Sequence, residues 1–372
     1  MNYCKITHYN SFEMGYCMDI QMFNWYAKSF IRKILTKKLE ITAKLKHKAF
    51  SCKVLNGTSE YDLSVNSDMS VSCNCQDFDG AGKIGDFSKN TLQEIISSAK
   101  ADFFRLELAA GRLPIPNCSR CSELEIVPAY NLDLNNINRM VPTKNLMVEN
   151  TICCACSCLA CARPLVMKQR KKLALTLEDI EKIAIELNNN NIKSISYFNL
   201  GDPFISKNIL EELKIIRKYN PDIKIGSSTN GLFLDSEEKL EAACLMDTLV
   251  VSIDGINTKM VKKYQRNQSF ETAFGNMCKL IKYRDEKNKN SNNKSNLKVG
   301  WNYILFSWND KPEHIKKAMT LCKENKIDSL NLWHTKSPFW ATSWRWYVDK
   351  FYREIRKGSK SQFLPIYFTN NQ

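Results

Sequence analysis

The chain has 372 residues, of which 44% are apolar, and this composition suits a folded protein with one large and one smaller domain. Its net charge of +15 permits nucleic acid, anionic lipid or acidic substrates as partners, but the lysines are scattered and most should be solvated. No apolar run reaches the roughly 18 to 20 residues of a membrane span, and the first residues lack the apolar segment of a secretory signal. Fifteen cysteines in this context favour a reducing cytosol, where clustered cysteines bind metal or take part in redox chemistry. We therefore expect a cytoplasmic protein.

Residues 1–50 are predicted to form a basic, amphipathic extension. Within residues 22–48, apolar side chains recur at the spacing of one helix face, and cations occupy the opposite face. The apolar positions are Phe23, Ala27, Phe30, Ile31, Ile34, Leu35 and Leu39, and the cations are Arg32, Lys33, Lys37 and Lys38. We expect the apolar face to pack on its own domain or on a partner, and peripheral contact with a membrane surface is the alternative.

Residues 51–125 are predicted to form a small, turn-rich module that carries a metal centre. The predicted ligands are Cys73, Cys75, Cys118 and Cys121, with Cys52 as a substitute or a direct ligand. Four thiolates suit either an iron–sulfur cluster or a structural zinc ion, and five cysteines cannot ligate two clusters. Residues 126–145 are predicted to be a linker.

Residues 146–356 alternate short apolar runs with amphipathic helical stretches. The predicted strands are 146–152, 194–198, 223–227, 248–253, 299–306 and 330–333, and the helices that follow them are 176–187, 206–219, 236–244, 269–285, 312–325 and 343–356. Such alternation predicts a parallel sheet with right-handed crossovers, either open or curved into a partial barrel. Residues 286–296 are predicted to be a polar loop, and residues 357–372 a C-terminal tail.

Small and polar residues follow successive strands of this region, at the edge where parallel sheets place their ligand sites. The first strand is followed by the spacing CxxxCxxC, which leaves one coordination position of a metal centre without a protein ligand. The motifs are Cys154, Cys158 and Cys161 after the first strand, Gly201, Asp202 and Pro203 after the second, Ser228, Thr229, Asn230 and Gly231 after the third, and Ser252, Asp254 and Gly255 after the fourth. His334 and Lys336 follow the sixth strand and are candidate substrate contacts.

A closed zinc site is the alternative interpretation of the cysteine loop. Cys153, Cys156, Cys158 and Cys161 could together supply four thiolates. Zinc would explain none of the motifs on the later strands, so Cys153 and Cys156 are treated as surplus.

Over residues 146–340 the chain resembles the radical S-adenosylmethionine (radical SAM) superfamily. The resemblance is carried by Glu149, Asn150 and Thr151 before the cysteine loop, by Gly201, Asp202 and Pro203 as a variant of a Gly-Glu-Pro motif, by Thr229, Asn230 and Gly231, and by Ser252 to Gly255 followed by Arg266, Ser269, Phe270 and Glu271. It implies an α/β fold with a partial (βα)6 barrel of radical SAM type. It further implies that Cys154, Cys158 and Cys161 ligate three irons of a [4Fe-4S] cluster, whose fourth iron binds the amino and carboxylate groups of S-adenosylmethionine (AdoMet). Reductive cleavage of AdoMet would give a 5′-deoxyadenosyl radical that abstracts hydrogen from a substrate.

The resemblance also implies cofactor contacts from the other strand ends. The backbone around Gly201, Asp202 and Pro203 would accept from the methionyl amino group, and a guanidinium is suited to pair with the methionyl carboxylate. The remaining cofactor-binding residues implied in this way are Ser228, Asn230, Ser252, Arg266 and Asn302. Ordinary strand-end capping is the alternative for Ser228 and Asn302.

The module at residues 51–125 is similar to the SPASM and twitch modules of radical enzymes. The similarity rests on the order of Asp77, Gly80, Gly82, Ile84, Gly85, Asp86, Phe87, Arg105, Gly111, Pro114, Cys118 and Cys121. Such modules bind auxiliary iron–sulfur clusters and usually follow the radical SAM domain, whereas here the module would precede it. The similarity to these cluster-binding modules implies a possible second [4Fe-4S] cluster in this protein.

The expected function is hydrogen abstraction from a peptide or a small metabolite such as a sugar, with a flavodoxin- or ferredoxin-type protein as electron donor. An RNA-modifying radical SAM enzyme is one alternative, and a non-catalytic zinc- or iron–sulfur-binding scaffold is another. No RNA-binding module is recognised, so nucleic acid is not the expected partner. The sequence does not determine the substrate or the enzyme subclass.

Overall fold

The computed structural model describes residues 11–59, 63–75, 77, 79–137, 139–290 and 294–368, and for residues 11–25 it describes the backbone alone. The first ten residues of the predicted extension lie outside these ranges. The helices are α1 Ser11–Leu45, α2 Leu92–Ile96, α3 Ala99–Ala109, α4 Arg163–Met167, α5 Leu177–Asn189, α6 Ile209–Tyr219, α7 Glu237–Cys244, α8 Thr258–Val261, α9 Phe270–Asn290, α10 Pro312–Glu324, α11 Arg345–Val348 and α12 Lys350–Arg356. Short 3-10 helices span Pro116–Arg120, Pro203–Ile205 and Phe339–Ala341.

The strands are β1 Lys48–Cys52, β2 Leu63–Val65, β3 Ser70–Ser72, β4 Lys83–Asp86, β5 Leu124–Pro128, β6 Leu146–Val148, β7 Ser157–Cys158, β8 Ser194–Ser196, β9 Lys224–Thr229, β10 Thr248–Ser252, β11 Gln265–Arg266, β12 Lys298–Leu305, β13 Ser329–His334 and β14 Phe363–Tyr367. Within the described ranges, ten of them form one sheet in the order β14-β13-β12-β10-β9-β8-β6-β2-β3-β4. From β13 to β2 in this order, each strand is parallel to the next one. The six predicted core strands lie side by side in chain order, and the predicted mixed α/β class is confirmed.

Three strands of the predicted module at residues 51–125 belong to the core sheet, so the module is not separate from the core. Strand β2 is fully buried and pairs in parallel with β6, and β3 and β4 continue the sheet as antiparallel neighbours. Only β1 and β5 stand apart, as a two-stranded antiparallel sheet. These strands have three to five residues each, so periodicity gives little signal for them.

The C-terminal tail also differs from its prediction. Strand β14 pairs antiparallel with β13 and forms one edge of the sheet. Its central residue is Pro365, which lacks a backbone N–H and is tolerated in edge strands. The predicted helix 343–356 is divided at Asp349, whose carboxylate accepts from the Phe351 N–H and caps α12. Helix α9 extends to Asn290, so the predicted polar loop begins later than expected.

Helix α1 packs on the body of the protein through a face that includes only part of the predicted apolar face, since Leu39 packs against the hydrophobic core. Thr36 and Ala43 are buried, whereas Phe30, Ile31 and Ile34 are exposed. The contact is made with the 3-10 helix Pro116–Arg120, where the Ser119 hydroxyl donates to the Arg32 carbonyl at 3.3 Å. The small side chains of Thr36 and Ala43 lie on the inward side together with the larger Leu39 and Glu40.

Among the described residues, no helix combines the length and the apolarity needed to span a bilayer.

The two faces of the core sheet differ in chemistry. The face that packs on helices carries large apolar side chains, among them Ile195, Ile225, Leu249, Val251, Val299, Leu330 and Leu332. Because side chains alternate along a strand, Ser228, Ser252, Asn302 and Asn331 lie on the other face, which we call the polar face.

Candidate active site

The loop that carries Cys154, Cys158 and Cys161 connects β6 to α4 and is held by the chain that follows β10. Strand β7 within the loop pairs antiparallel with β11, which places Cys158 opposite Gln265. The Leu159 N–H donates to the Tyr264 carbonyl at 3.1 Å, and the Cys161 N–H donates to the Cys158 carbonyl at 3.1 Å. The spacing CxxxCxxC is thus folded into a short strand, which pairs with β11, and a turn.

The three thiols are half-buried and lie close enough to influence one another. Burial raises the pKa of Cys158, and the charges of Cys161 and Cys154 raise it further. The Cys154 pKa is lowered chiefly because the Cys156 thiol donates to it. Arg163, which the sequence analysis missed, lowers the pKa of Cys154, Cys158 and Cys161 by its positive charge. Its guanidinium is fixed by a 3.1 Å bond to the Cys156 carbonyl.

The closed zinc alternative has no support in this arrangement. Cys153 is buried and disulfide-bonded, so it offers no thiolate. Among the residues that the structure describes, no group of three or more His, Cys, Asp or Glu side chains is placed to hold a metal ion, and this holds for either set of ligands from the loop.

Asp202 holds two strand ends together and does not offer its carboxylate to a ligand. The carboxylate accepts from the Thr229 hydroxyl at 2.9 and 3.0 Å, from the Asn230 N–H at 2.7 Å and from the Phe204 N–H at 3.0 Å. The Asp202 N–H donates to the Cys153 carbonyl at 2.8 Å. Burial raises the pKa of Asp202, and these donors oppose that effect. The side chain therefore positions the ends of β8 and β9 beside the cysteine loop.

Asn230 reaches the cysteine loop from the end of β9. Its side-chain amide lies 3.6 Å from the Cys154 sulfur. Its carbonyl accepts from the Gln268 side chain at 2.7 Å, and the Gln265 side chain donates to the Ser252 carbonyl at 2.9 Å. The two glutamines, which carry no motif signal in the sequence, connect the ends of β9 and β10.

The other predicted cofactor residues on the strands share the polar face. Ser228 and Ser252 have their hydroxyls 3.4 Å apart, and Ser252 pairs in register with Asn302. The Asn331 amide donates to the Asn302 side-chain oxygen at 3.0 Å, so Asn302 is bonded within the sheet and is no strand-end cap. Trp333 lies two residues further on this face and packs 4.4 Å from the Phe363 ring.

Arg266 lies on β11, opposite Ser157 of the cysteine loop. Its side chain is half-buried, and the described residues provide no hydrogen bond or ion pair for its guanidinium. A cation without a partner at this position is suited to an anionic ligand.

Glu149 and Asn150 are buried and brace the loops around the cysteines. Glu149 pairs with Arg170 at 3.2 Å and accepts from the Ser67 N–H at 3.2 Å. The Asn150 amide donates to Glu212 at 2.8 Å, and its side-chain oxygen has no partner. Asp254, at the end of β10, likewise has one unpartnered oxygen, and burial raises its pKa to about 7.

The prediction that His334 faces a substrate is wrong. Its ring is buried on the helix-packed side of β13, stacks 5.6 Å from Trp346 and lies 3.2 Å from the Ser343 carbonyl. Trp333, its neighbour on the opposite face, is exposed, and so is Lys336.

The second cysteine set converges from three separate segments. Burial raises the pKa of Cys73, and the charges of Cys52, Cys118 and Cys121 raise it further. The Asn74 amide lies 3.5 Å from the Cys121 sulfur, and the Cys121 N–H donates to the Cys118 carbonyl at 3.1 Å. Cys52, which was predicted as a substitute ligand, is thus among the gathered thiols. The Cys75 sulfur lies 3.9 Å from the Asn74 side-chain oxygen.

Helix α1 lies beside both cysteine sets. Lys28 is half-buried, and burial lowers its pKa, while the nearby Cys161 charge acts in the opposite direction. One turn later, Arg32 approaches the segment that holds Cys118 and Cys121. Neither cation could be assigned to this place from the sequence.

Gly201 is required by the close approach of two loops. A Cβ at this position would lie 1.9 Å from the Thr151 carbonyl oxygen. Gly201→Ala is therefore expected to lower the thermal unfolding midpoint by at least about 2–4 °C, because overpacking costs about 1–3 kcal/mol and here meets backbone atoms. Gly275→Ala is the matched control, since a Cβ on that residue of α9 meets no atom within 4 Å. Equal midpoints in the two variants would contradict this explanation.

Part of the chain is similar to known proteins. Residues 149–288 match the Radical SAM superfamily, and no curated protein matches the chain. Similar solved structures include native anSMEcpe with bound AdoMet, with 14% identity, 50% of each chain covered and a TM-score of 0.36. BtrN in complex with AdoMet and 2-DOIA has 25% identity over 29% of this chain and 45% of its own, with a TM-score of 0.26. TsrM from Kitasatospora setae, a radical S-adenosylmethionine methyltransferase with cobalamin and a [4Fe-4S] cluster bound, has 14% identity over 55% and 38%, with a TM-score of 0.38.

The chain spans about half the length, or less, of these solved structures, and their TM-scores are too low for an argument from overall shape. The superfamily match covers the cysteine loop, the Gly-Asp-Pro loop, the ends of β9 and β10, and Arg266. Residues 149–288 are thus the part of the chain that matches the Radical SAM superfamily, and this match supports an enzyme whose subclass it leaves open.

Proposed function

We propose that the protein is a radical SAM enzyme that cleaves AdoMet reductively and abstracts hydrogen from a peptide or a small metabolite such as a sugar. The observation that carries the proposal is the convergence of Cys154, Cys158 and Cys161 in a loop inside the radical SAM domain, beside the unpartnered cation of Arg266. The sheet, with its six core strands in chain order, is suited to the partial (βα)6 barrel of this superfamily.

The residues of the loop fit a [4Fe-4S] cluster. The Cys154 charge acts on both Cys158 and Cys161, so the three thiols lie near one another, and the Arg163 charge favours their ionised form. When bound, the cluster and AdoMet supply a one-electron cleavage of the sulfonium and a radical that abstracts hydrogen. Cys154, Cys158 and Cys161 would hold the irons, and the Asn230 amide would donate to the sulfur of Cys154.

The polar face offers hydrogen-bonding groups to the rest of AdoMet. Ser228, Ser252 and Asn302 are half-buried and uncharged, as is suitable for ribose hydroxyls. Arg266 would pair with the methionyl carboxylate, and the backbone of Gly201, Asp202 and Pro203 would receive the amino group. Asp202 acts on this site by fixing Asn230 and the Gly-Asp-Pro loop relative to each other.

The four gathered thiols of Cys52, Cys73, Cys118 and Cys121 are proposed to bind a second [4Fe-4S] cluster in a SPASM-like arrangement. The partner implied by this chemistry is a flavodoxin- or ferredoxin-type electron donor, and a cytoplasmic location is part of the proposal.

The test is anaerobic reconstitution with iron and sulfide, followed by addition of AdoMet and dithionite. We expect 5′-deoxyadenosine and methionine to form only when both reductant and cluster are present. A protein that holds about eight irons per chain, enough for both proposed clusters, and yet forms no deoxyadenosine would show that the proposal is wrong. Omission of dithionite is the matched control.

A further inference from the structure

An apolar stripe runs along the exposed side of α1. Its described members are Tyr26, Phe30, Ile31, Ile34, Ile41 and Leu45, and their exposed fractions range from 44% to 77%. Of these, Phe30, Ile34, Ile41 and Leu45 fall within an arc of about 60° on the helix and extend over about 22 Å of its length. Isolated exposed apolar residues are ordinary, whereas a continuous stripe on one helix marks an interaction surface.

Phe30, Ile34, Ile41 and Leu45 of the stripe are exposed and do not belong to the core that the described residues form. The inward side of the helix carries Arg32, Thr36 and Ala43, and these residues face the 3-10 helix and the rest of the body. Glu40 also faces inward, since its carboxylate accepts from the Leu113 N–H at 3.0 Å. The helix is therefore anchored through one side and presents its apolar stripe on the other.

The cations around the stripe indicate what it binds. Residues 26–48 contain eight lysines and arginines and a single acidic residue, Glu40. Lys37 borders the 60° arc on one side and Lys38 on the other, and both are exposed. Lysine side chains in such positions can keep their ammonium groups in the headgroup region while their stems cover apolar surface.

We propose that α1 docks the enzyme on an anionic membrane surface, with the stripe in the acyl boundary and the lysines among the headgroups. Apolar stripes bordered by lysine are typical of helices that lie in the plane of the interface. Anionic lipids add a favourable interaction for each lysine near the surface. A second copy of the chain fits less well, because a two-fold contact would bring the lysines of both copies together. The proposal is independent of the reaction that the enzyme catalyses.

The experiment measures flotation of the reconstituted full-length protein with two kinds of vesicle. One contains phosphatidylcholine alone, and the other contains phosphatidylcholine with phosphatidylglycerol. We expect binding to the anionic vesicles, weaker binding at high salt, and little binding to phosphatidylcholine alone. The double variant Phe30→Ser with Ile34→Ser should bind the anionic vesicles at least about tenfold more weakly.

The matched control is Leu177→Ser with Ile185→Ser, which removes two exposed apolar side chains from α5. This control should bind as the unchanged protein does. Both double variants should keep the thermal unfolding midpoint, because the four side chains are exposed. If the α1 variant binds vesicles as tightly as the control, or if the unchanged protein does not float, the proposal is overturned. A dimer that sedimentation velocity detects and that the α1 variant abolishes, without vesicle binding, would assign the stripe to a second copy.

Discussion

Replacing Cys154, Cys158 or Cys161 with alanine is expected to reduce deoxyadenosine formation to the level of a protein-free control. Each thiol would hold one iron, and Cys156, which bonds to Cys154, is the neighbouring thiol in the loop that could substitute for it. The reconstituted variants should contain about four irons fewer per chain than the unchanged protein. Iron analysis, the visible absorption of the cluster and the yield of deoxyadenosine measure the effect.

Cys156→Ala is the matched control, because it removes a buried thiol from the same loop. The Cys156 thiol donates to Cys154, so its loss should alter the properties of the cluster but retain the iron and the cleavage of AdoMet. The same proximity means that Cys156 could replace Cys154 in a single variant, and the double variant Cys154→Ala with Cys156→Ala removes this ambiguity. If Cys156→Ala loses the cluster while Cys154→Ala keeps it, the assignment of the three ligands is wrong.

The sequence predicts the core of the fold because its signals are local. Each core strand is a short apolar run followed by an amphipathic helix, and the order of strands in the sheet follows from repeated strand-then-helix units. Strands β2, β3 and β4 escape prediction, since their place depends on the pairing of β2 with β6, about 80 residues away along the chain. Their three or four residues are too few to show a period.

The orientation of α1 illustrates a limit of amphipathic patterns. The positions of Phe30, Ile31 and Ile34 define a face, but the pattern does not say whether that face meets the body of the protein or an external partner. Here Thr36, Leu39 and Ala43 face the body of the protein, and Phe30, Ile31 and Ile34 remain exposed.

Some residues of the site can be identified from a sequence motif, and others only from the structure. The three cysteines are recognisable in the sequence because thiolates are needed to bind the irons of a cluster. Gly201 is recognisable because a Cβ would collide with the Thr151 carbonyl. The backbone of Asp202 is expected to accept from AdoMet, and the role of its carboxylate, which bonds to Thr229 and Asn230, is visible only in the structure. Arg163 and Gln268 have no motif, and they are identified only by the atoms that surround them.

In the N-terminal centre, the structure favours Cys52 as the fourth ligand, in addition to Cys73, Cys118 and Cys121. Alanine at any of these four positions is expected to remove about four irons per chain while the cluster at Cys154, Cys158 and Cys161 stays loaded. Because the four thiols come from the end of β1, from the turn after β3 and from the Pro116–Arg120 helix, loss of the centre should also lower the thermal unfolding midpoint.

Cys75→Ala serves as the matched control for this centre and should keep the full iron content. The contrast with Cys52→Ala is decisive, because the sequence alone favoured Cys75 and the geometry favours Cys52, whose charge acts on Cys73 and Cys118. Iron and zinc are measured together in anaerobically purified protein. Loss of zinc in place of iron from Cys118→Ala would make the centre structural, since zinc cannot carry an electron. Full iron in Cys52→Ala, with loss in Cys75→Ala, would return Cys75 to the ligand set and show that Cys52 is only a buried neighbour.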